Sequence, residues 1–443
     1  MKHFSPTNRT NPNSAGQMSG TWNSLPGPDD ITRVVLPNGI TILTRPNFNS
    51  PSIVISGYLP VGSRQDPEEK LGLAHFTALS LMRGTHRRSF QEIFNDLESA
   101  GASLGFGASV HNTSFGGRAL VEDLPLLLEL LAETLHQPAF PNDQVERLRG
   151  QLLSGLAIRG QDTADMASLS FDKHLFENHP YGRPEDGYIE TVKRIETRDL
   201  VNFHKSNFAP DGIVIVVVGA VNPQEAVDQV QKTFGNWIVS EKPAQLPPLP
   251  KLEPPSKIIR EHIFIPGKSQ TDLVMGTLGP HRRSEDYLAA SLGNNILGQF
   301  GMMGRIGDVV REQSGLAYHA STSLNAWIEG GSWEVSAGVN PANLTKAIDL
   351  ILVELGRFAQ ETVTNEEIED SKANYIGRLP LSFESNSGVA NALLNLERFQ
   401  LDLDYYRNYP ALVRSITKEQ ILDVARKFID PEKLVISSAG SEM

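Results

Sequence analysis

The sequence of 443 residues contains no cysteine. Disulfides, thiolate metal sites and cysteine nucleophiles are therefore excluded, although this absence says nothing about compartment. There is no run of 18 apolar residues, so no transmembrane helix and no membrane insertion are expected. Positive charge is in deficit: 40 Lys and Arg stand against 52 Asp and Glu, a net charge of −12. This argues against nucleic acid or an anionic membrane as an electrostatic partner. No Gly-x-Ser-x-Gly elbow appears, which leaves a serine hydrolase without its nucleophile turn. Residues 1–28 are rich in Asn, Ser, Thr, Pro and Gly and lack the apolar core of a signal peptide. A disordered tail over residues 1–30 and a cytoplasmic protein are the expectations that follow.

What is present is a globular composition, with 40% hydrophobic and 21% charged residues. The length suits two to four domain-sized units. Pro37-Asn38-Gly39 between two β-rich runs predicts a hairpin from residue 32 to residue 43. Leu73, Phe76, Leu79 and Met82 recur at helical spacing between Gly72 and Gly84, which predicts a buried helix. Ser89-x-x-Glu92 and Thr364-x-x-Glu367 read as capping boxes that open further helices. Residues 104–108 and 113–120 read as paired strands. Leu124, Leu127, Leu128, Leu131 and Leu135 mark the helix that follows.

Residues 241–257 (EKPAQLPPLPKLEPPSK) are crowded with proline and predict an extended, semi-rigid linker. Beyond it the pattern repeats. The run Leu273–Leu278 echoes Val54–Leu59, and the helix at 288–297 echoes that at 73–82. Ser332–Val339 with the helix after it echoes Ser114–Leu120 with its own. Leu434–Ala439 echoes Val214–Gly219. The offset stays near 220 residues, so the chain reads as a tandem duplication of one α+β unit. Each half is expected to hold a mostly antiparallel sheet with helices packed on it. The predicted division is 31–240, the linker 241–257, and 258–443.

The stretch from Gly72 to Thr85 resembles the inverted zinc helix of the insulinase/pitrilysin and mitochondrial processing peptidase family. That family writes Gly-x-Ala-His-x-x-Glu-His followed by Gly-Thr. Gly72, Ala74, His75, Gly84 and Thr85 keep the frame. Val61-Gly62-Ser63-Arg64, His179-Pro180-Tyr181-Gly182 and Val217-Val218-Gly219 extend it. Gly304-Arg305-Ile306 with Val310-Arg311-Glu312-Gln313-Ser314-Gly315-Leu316-Ala317-Tyr318 resembles the family's second-domain segment. The likeness spans about residues 31–440 and implies the processing-peptidase fold.

The zinc chemistry is nevertheless missing. Two His at i and i+4 share a helix face and hold one Zn²⁺, and the Glu between them is the general base. Here Ala78 stands at the Glu position and Leu79 at the second His position. The family's third ligand, a Glu on a later helix, falls on Ser154 or Gly155. His75 alone does not hold catalytic zinc, so no metal is expected in this chain. His174, His179 and His204 lie scattered over a helix–loop region and do not replace the lost ligands. Gly298-Gln299-Phe300-Gly301 lacks the strand and Lys context of a phosphate loop and reads as a helix end.

Arg311 and Tyr318 are retained. In catalytic relatives the resemblance gives them contact with substrate backbone and oxyanion, acting across a cavity. It thus implies the zinc-free subunit of a heterodimeric zinc endopeptidase, with Zn²⁺ in the partner and a peptide or unfolded polypeptide as substrate. An alternative from another class is a non-catalytic peptide-binding or scaffold protein of the same fold. In that case Arg311 and Tyr318 are an Arg–Glu pair and a packed aromatic beside a glycine turn.

Overall fold

The computed structural model describes residues 25–239, 243–301 and 304–441. Gly39, at φ +90°, turns the chain between β1 (Thr32–Val35) and β2 (Thr41–Pro46), which pair antiparallel. β3 (Ser52–Leu59) follows, then α1 (Leu73–Ser80), which tightens into a 3₁₀ turn over Leu81–Arg83. Next come α2 (Phe90–Ser99), β4 (Ser103–Ala108), β5 (Thr113–Leu120), α3 (Leu124–His136), α4 (Asn142–Arg159) and α5 (Thr163–Leu175). The half closes with α6 (Ile189–Arg194), α7 (Thr197–Asn207), β6 (Val214–Gly219) and α8 (Pro223–Phe234). At the start of α2, Ser89 Oγ accepts the Glu92 N–H at 3.3 Å while the Glu92 carboxylate accepts the Ser89 N–H at 2.7 Å.

The second half runs β7 (Ile259–Phe264), β8 (Thr271–Gly279), α9 (Tyr287–Gly298) and the short α10 (Gly304–Gly307), which continues into a π-helical turn over Asp308–Gln313. It goes on through β9 (Ala317–Ala326), β10 (Gly331–Val339), α11 (Leu344–Gln360), α12 (Asn365–Arg378) and α13 (Asn386–Arg398). It ends with α14 (Tyr405–Ser415), α15 (Lys418–Phe428) and β11 (Val435–Gly440).

The sheet orders are β1-β2-β6-β3-β5-β4 and β7-β11-β8-β10-β9. Without β1 the two are the same sheet. β2 and β7 each pair parallel with the last strand of their half, β6 or β11. Every remaining neighbour is antiparallel in both. The tandem α+β duplication is thus present strand for strand. β6 and β11 have all six residues buried, as the apolar run Val-Ile-Val-Val-Val in β6 requires of a strand covered on both faces.

Strand alternation sends successive side chains to opposite faces. One face of the first sheet, with Ile42, Ile53, Ile55, Ile215 and Val217, packs on helices of its own half through Leu73, Phe76, Leu127 and Leu131. The other face, with Leu43, Val54, Tyr58, Val214, Val216 and Val218, is covered by Val389, Ala390, Leu393 and Leu394 of α13, a helix of the second half. The second sheet receives α5 in return, where Ala167, Phe171 and Leu175 pack on Val274, Val435 and Ala439. Polar contacts fix both seats. Ser170 Oγ donates to Glu261 at 2.7 Å, and Asn386 Nδ2 donates to the Ser52 carbonyl at 3.3 Å.

One expectation changes here. Residues 25–30, expected in the disordered tail, are held in place. Leu25 is buried, its carbonyl accepts from Arg407 Nε at 2.9 Å, and Arg407 pairs with Asp29. The rest of that tail lies outside the described residues. Residues 243–257 of the linker carry no helix or strand, yet Leu252 joins the α5 cluster and Arg64 Nη2 donates to the Pro247 carbonyl at 2.8 Å. Among the described residues no helix is long and apolar enough to cross a membrane.

Because each half lends a helix to the other, we expect one cooperative unfolding unit. Phe171→Ala empties a fully buried site on the exchanged α5 and is expected to cost about 3–5 kcal/mol. Denaturant titrations following far-UV circular dichroism and tryptophan fluorescence (Trp237 in one half, Trp333 in the other) are expected to give a single, earlier transition. Two separated transitions would show that the halves fold independently.

Candidate functional site

The first part of the site is the exposed stripe of α1. Its start is fixed by the loop at 184–188. Gly72 sits at φ +94°, and a Cβ there would come within 2.7 Å of the Asp186 carbonyl. Thr191 Oγ1 donates to the Leu71 carbonyl at 2.8 Å, and Arg159 Nη2 donates to the Gly187 carbonyl at 2.7 Å. Asp66 caps the helix, accepting from the Gly72 N–H at 2.9 Å and the Ala74 N–H at 2.8 Å. Burial pushes its carboxyl up to about 7 against the pull of those hydrogen bonds.

On α1, Phe76, Thr77 and Ala78 are fully buried, whereas His75 and Leu79 are half-buried on a common face. The two positions that the resemblance assigns to zinc ligands therefore share one stripe, but carry an imidazole and an isobutyl group. Burial holds the His75 imidazole below its ordinary value, with the Asp186 charge opposing it. Ala78 faces the core and offers no proton acceptor. On α4, Ser154 is exposed and its hydroxyl donates back to the Gly150 carbonyl at 2.9 Å, while Gly155 has no side chain. Among the described residues no group of three His, Asp or Glu converges to hold a metal ion. His174 bonds Glu261 at 2.5 Å, His179 accepts the Tyr181 N–H at 3.1 Å, and His204 bonds the Leu135 carbonyl at 2.8 Å. The residues present do not fit a catalytic zinc.

The second part lies in the other half. Gly304 sits at φ +64°, where a Cβ would meet the Ile296 carbonyl at 2.5 Å. Arg305 then forks onto Glu367, Nε to Oε1 at 2.6 Å and Nη2 to Oε2 at 2.7 Å, with Glu354 3.6 Å from the same guanidinium. Glu367 also caps α12 by accepting the Thr364 N–H at 2.7 Å. Burial alone would push its carboxyl up, but the Arg305 and Thr364 hydrogen bonds outweigh it and hold it down to about 2.

This lock anchors the π-helical turn that carries Arg311, a geometry often found at functional sites. Arg311 Nε lies 3.5 Å from Glu312 Oε1, and its side chain is partly exposed. Gly315, at φ +62°, reverses the chain into β9, an edge strand. Tyr318, its second residue, is 68% exposed, and its hydroxyl has no hydrogen-bond partner among the described residues. It borders an open depression with Gly315, Leu316, Asn340 and Asn343. Tyr318 is therefore not a packed aromatic.

Residues 42–184 match the insulinase (peptidase family M16) model, and residues 194–375 match the peptidase M16 inactive domain model. The chain belongs to the M16 peptidase family. An uncharacterized zinc protease of Mycobacterium leprae is 27% identical over 409 residues, 90% of this chain and 89% of that protein. The mitochondrial-processing peptidase subunit beta of Saccharomyces cerevisiae is 27% identical over 376 residues, 80% and 79% of the two chains. The crystal structure of a peptidase M16 inactive domain from Pseudomonas fluorescens superposes with a TM-score of 0.86 at 26% identity, covering 93% of this chain and 98% of that one.

Within this M16 chain the degenerate helix and the Arg311/Tyr318 segment fall in different halves. Both segments were singled out from the sequence. The sequence reading missed Asp66, whose cap spans eight residues, and the Arg305–Glu367 lock, whose partners lie 62 residues apart. Arg305 inside Gly-Arg-Ile was the available signal for the second.

Two outcomes follow. Restoring Ala78→Glu and Leu79→His together still lacks the carboxylate near Ser154, and catalytic zinc takes three protein ligands. Metal analysis is expected to find no stoichiometric zinc in the wild type, and the double variant is expected to cleave no peptide. Glu367 is held below the ordinary glutamate value of about 4.3. Its stabilisation is thus present above that value and lost as pH falls toward about 2. Acid unfolding of Glu367→Gln is expected to start from lower stability and to show a shallower pH dependence in that window.

Proposed function

We propose that this chain is the zinc-free subunit of a heterodimeric zinc endopeptidase and supplies Arg311 and Tyr318 to a peptide bound at its partner's metal. The observation that carries this reading is an asymmetry of loss. The metal-binding positions have become Ala78, Leu79 and Ser154 or Gly155, while the donor pair keeps an exposed phenol and a partly exposed guanidinium. A phenolic hydroxyl without an internal partner is free to donate to a ligand. When a peptide carbonyl is attacked, negative charge develops on its oxygen, and fixed donors there lower the barrier. Tyr318 O–H and the Arg311 guanidinium serve as such donors, and Arg305 on Glu367 holds the turn that presents Arg311. The substrate is a peptide or unfolded polypeptide, which fits the open edge of β4 beside α1, since an edge strand accepts an extended chain.

The test uses the complex reconstituted with a homologous subunit that carries an intact His-x-x-Glu-His. Tyr318→Phe keeps the ring and removes only the hydroxyl, and Arg311→Ala removes the guanidinium. Each is expected to lower kcat/KM on an unstructured peptide by about 10²–10³-fold, roughly 3–4 kcal/mol, with assembly unchanged by size measurement. Unchanged kinetics in both variants would assign the chain to the peptide-binding or scaffold reading instead.

A further inference from the structure

A cavity of about 320 Å³ lies between the two halves, walled by the β4–β5 loop, α5 and the segment after it, the β9–β10 loop and the end of α13. Neither His75 nor Arg311 nor Tyr318 lines it. Four half-buried Asp, Glu and Arg residues line it: Arg183 pairs with Glu68 and Glu185 accepts the Val110 N–H at 3.0 Å, which leaves an acid, Asp172, and a base, Arg398, without a counter-charge. The carboxylate of Asp172, on α5, has no hydrogen bond or ion pair among the described residues. Arg398, the last residue of α13, has no carboxylate partner among them. Its Nε is buried and unbonded, and its guanidinium lies 4.9 Å from the centroid of the Tyr58 ring.

Burying a charge without a partner is unfavourable, and each group responds in the direction physics requires. Burial, with the Glu334 and Glu185 carboxylates adding to it, pushes Asp172 up to about 8. Burial also holds the Arg398 guanidinium below its ordinary value. The two do not come within ion-pair distance of one another. An anion alone or a cation alone would satisfy one and leave the other stranded.

The rest of the wall is mixed, with Val110, Pro184, Ile328 and Phe399 beside polar groups, and its aromatic side is fixed. Tyr181 and Trp327 lie 4.6 Å apart between ring centroids, and His111 Nε2 bonds the Tyr181 hydroxyl at 2.8 Å. The volume falls at the small end of ligand sites, which span about 300–1,000 Å³.

We propose that this cavity binds a zwitterion of amino-acid or dipeptide size, its ammonium at Asp172, its carboxylate at Arg398 and its apolar side chain against Tyr181 and Trp327. Because α5 and α13 are the exchanged helices, such a ligand also ties one half to the other. The inference is independent of the proposed pairing with a zinc subunit.

The experiment is calorimetric titration of the full chain at pH 7.5 with L-phenylalanine and with L-leucyl-L-phenylalanine. N-acetyl-L-phenylalanine, which lacks the ammonium, and L-phenylalaninamide, which lacks the carboxylate, serve as blocked probes. Saturable binding of at least one zwitterion is expected, with both blocked forms about tenfold or more weaker. Asp172→Asn and Arg398→Gln are each expected to weaken the zwitterion about ten- to a hundredfold, the range for losing a hydrogen bond to a charged group. Asp172→Asn replaces a carboxyl that is mostly protonated in the empty site, so the unliganded melting temperature is expected to stay put. This keeps the test valid even where Arg398→Gln disturbs the Tyr58 contact. No saturable binding at millimolar zwitterion, equal binding of either blocked form, or undiminished binding by a folded Asp172→Asn would overturn the proposal.

Discussion

A sheet has two faces, and in this protein both are apolar in both sheets. The helices of one half cover only one face of their own sheet. The remaining face, Leu43, Val54, Val214, Val216 and Val218 in the first half, would expose a continuous hydrophobic surface. The exchange of α5 and α13 removes that surface twice over. It also sets where everything else can stand. The linker runs where Leu252 can reach the α5 cluster, Leu25 seats against Arg407, and the interhalf cavity lies beside the two borrowed helices.

The two parts of the candidate site depend on this constraint in different ways. His75 and Leu79 sit on a helix buried everywhere else, so only that stripe can vary without disturbing the core. Leu79 stands half-buried on that stripe, and the frame of Gly72, Ala74 and the Asp66 cap is intact around it. The Arg311 segment is the opposite case. It stands on the rim, with Ile306, Val310 and Leu316 seated in the core of its half and the forked ion pair of Arg305 with Glu367 fixing its start. An Arg held bidentate and partly desolvated is an anchor of the kind that fixes geometry more than it adds stability.

Much of the fold was legible because the signals were local. The Asn38-Gly39 turn, the Ser89 and Thr364 capping boxes and the strand alternation each involve residues a few positions apart, and each reappears in the structure. The repeat was legible because the same local patterns recur at one offset. The helix exchange was not, since an amphipathic helix states that it must cover an apolar face but not whose. The Arg305–Glu367 lock and the seat of Leu25 on Arg407 were invisible for the same reason: their partners are far apart in sequence. At the site, the residue identities at 75, 78, 79 and 154 were legible, but their exposure was not. That Tyr318 stands in solvent rather than in the core could only come from the three-dimensional arrangement.

The exchange also carries a statement about descent. Take one half alone, with its sheet, its own helices and the one it now lends. Such a unit has a bare sheet face and a helix that fits that face only in a second copy. Its self-consistent form is a symmetric pair in which each copy clasps the other, the isologous closure that a two-fold axis provides. Joining two such copies through a proline-rich connector converts that pair into a single chain. Once covalently joined, the two copies no longer need to be identical, and the sequence shows this freedom: one half carries His75, Ala78 and Leu79 on α1, and the other carries Arg311 and Tyr318 on its outer rim.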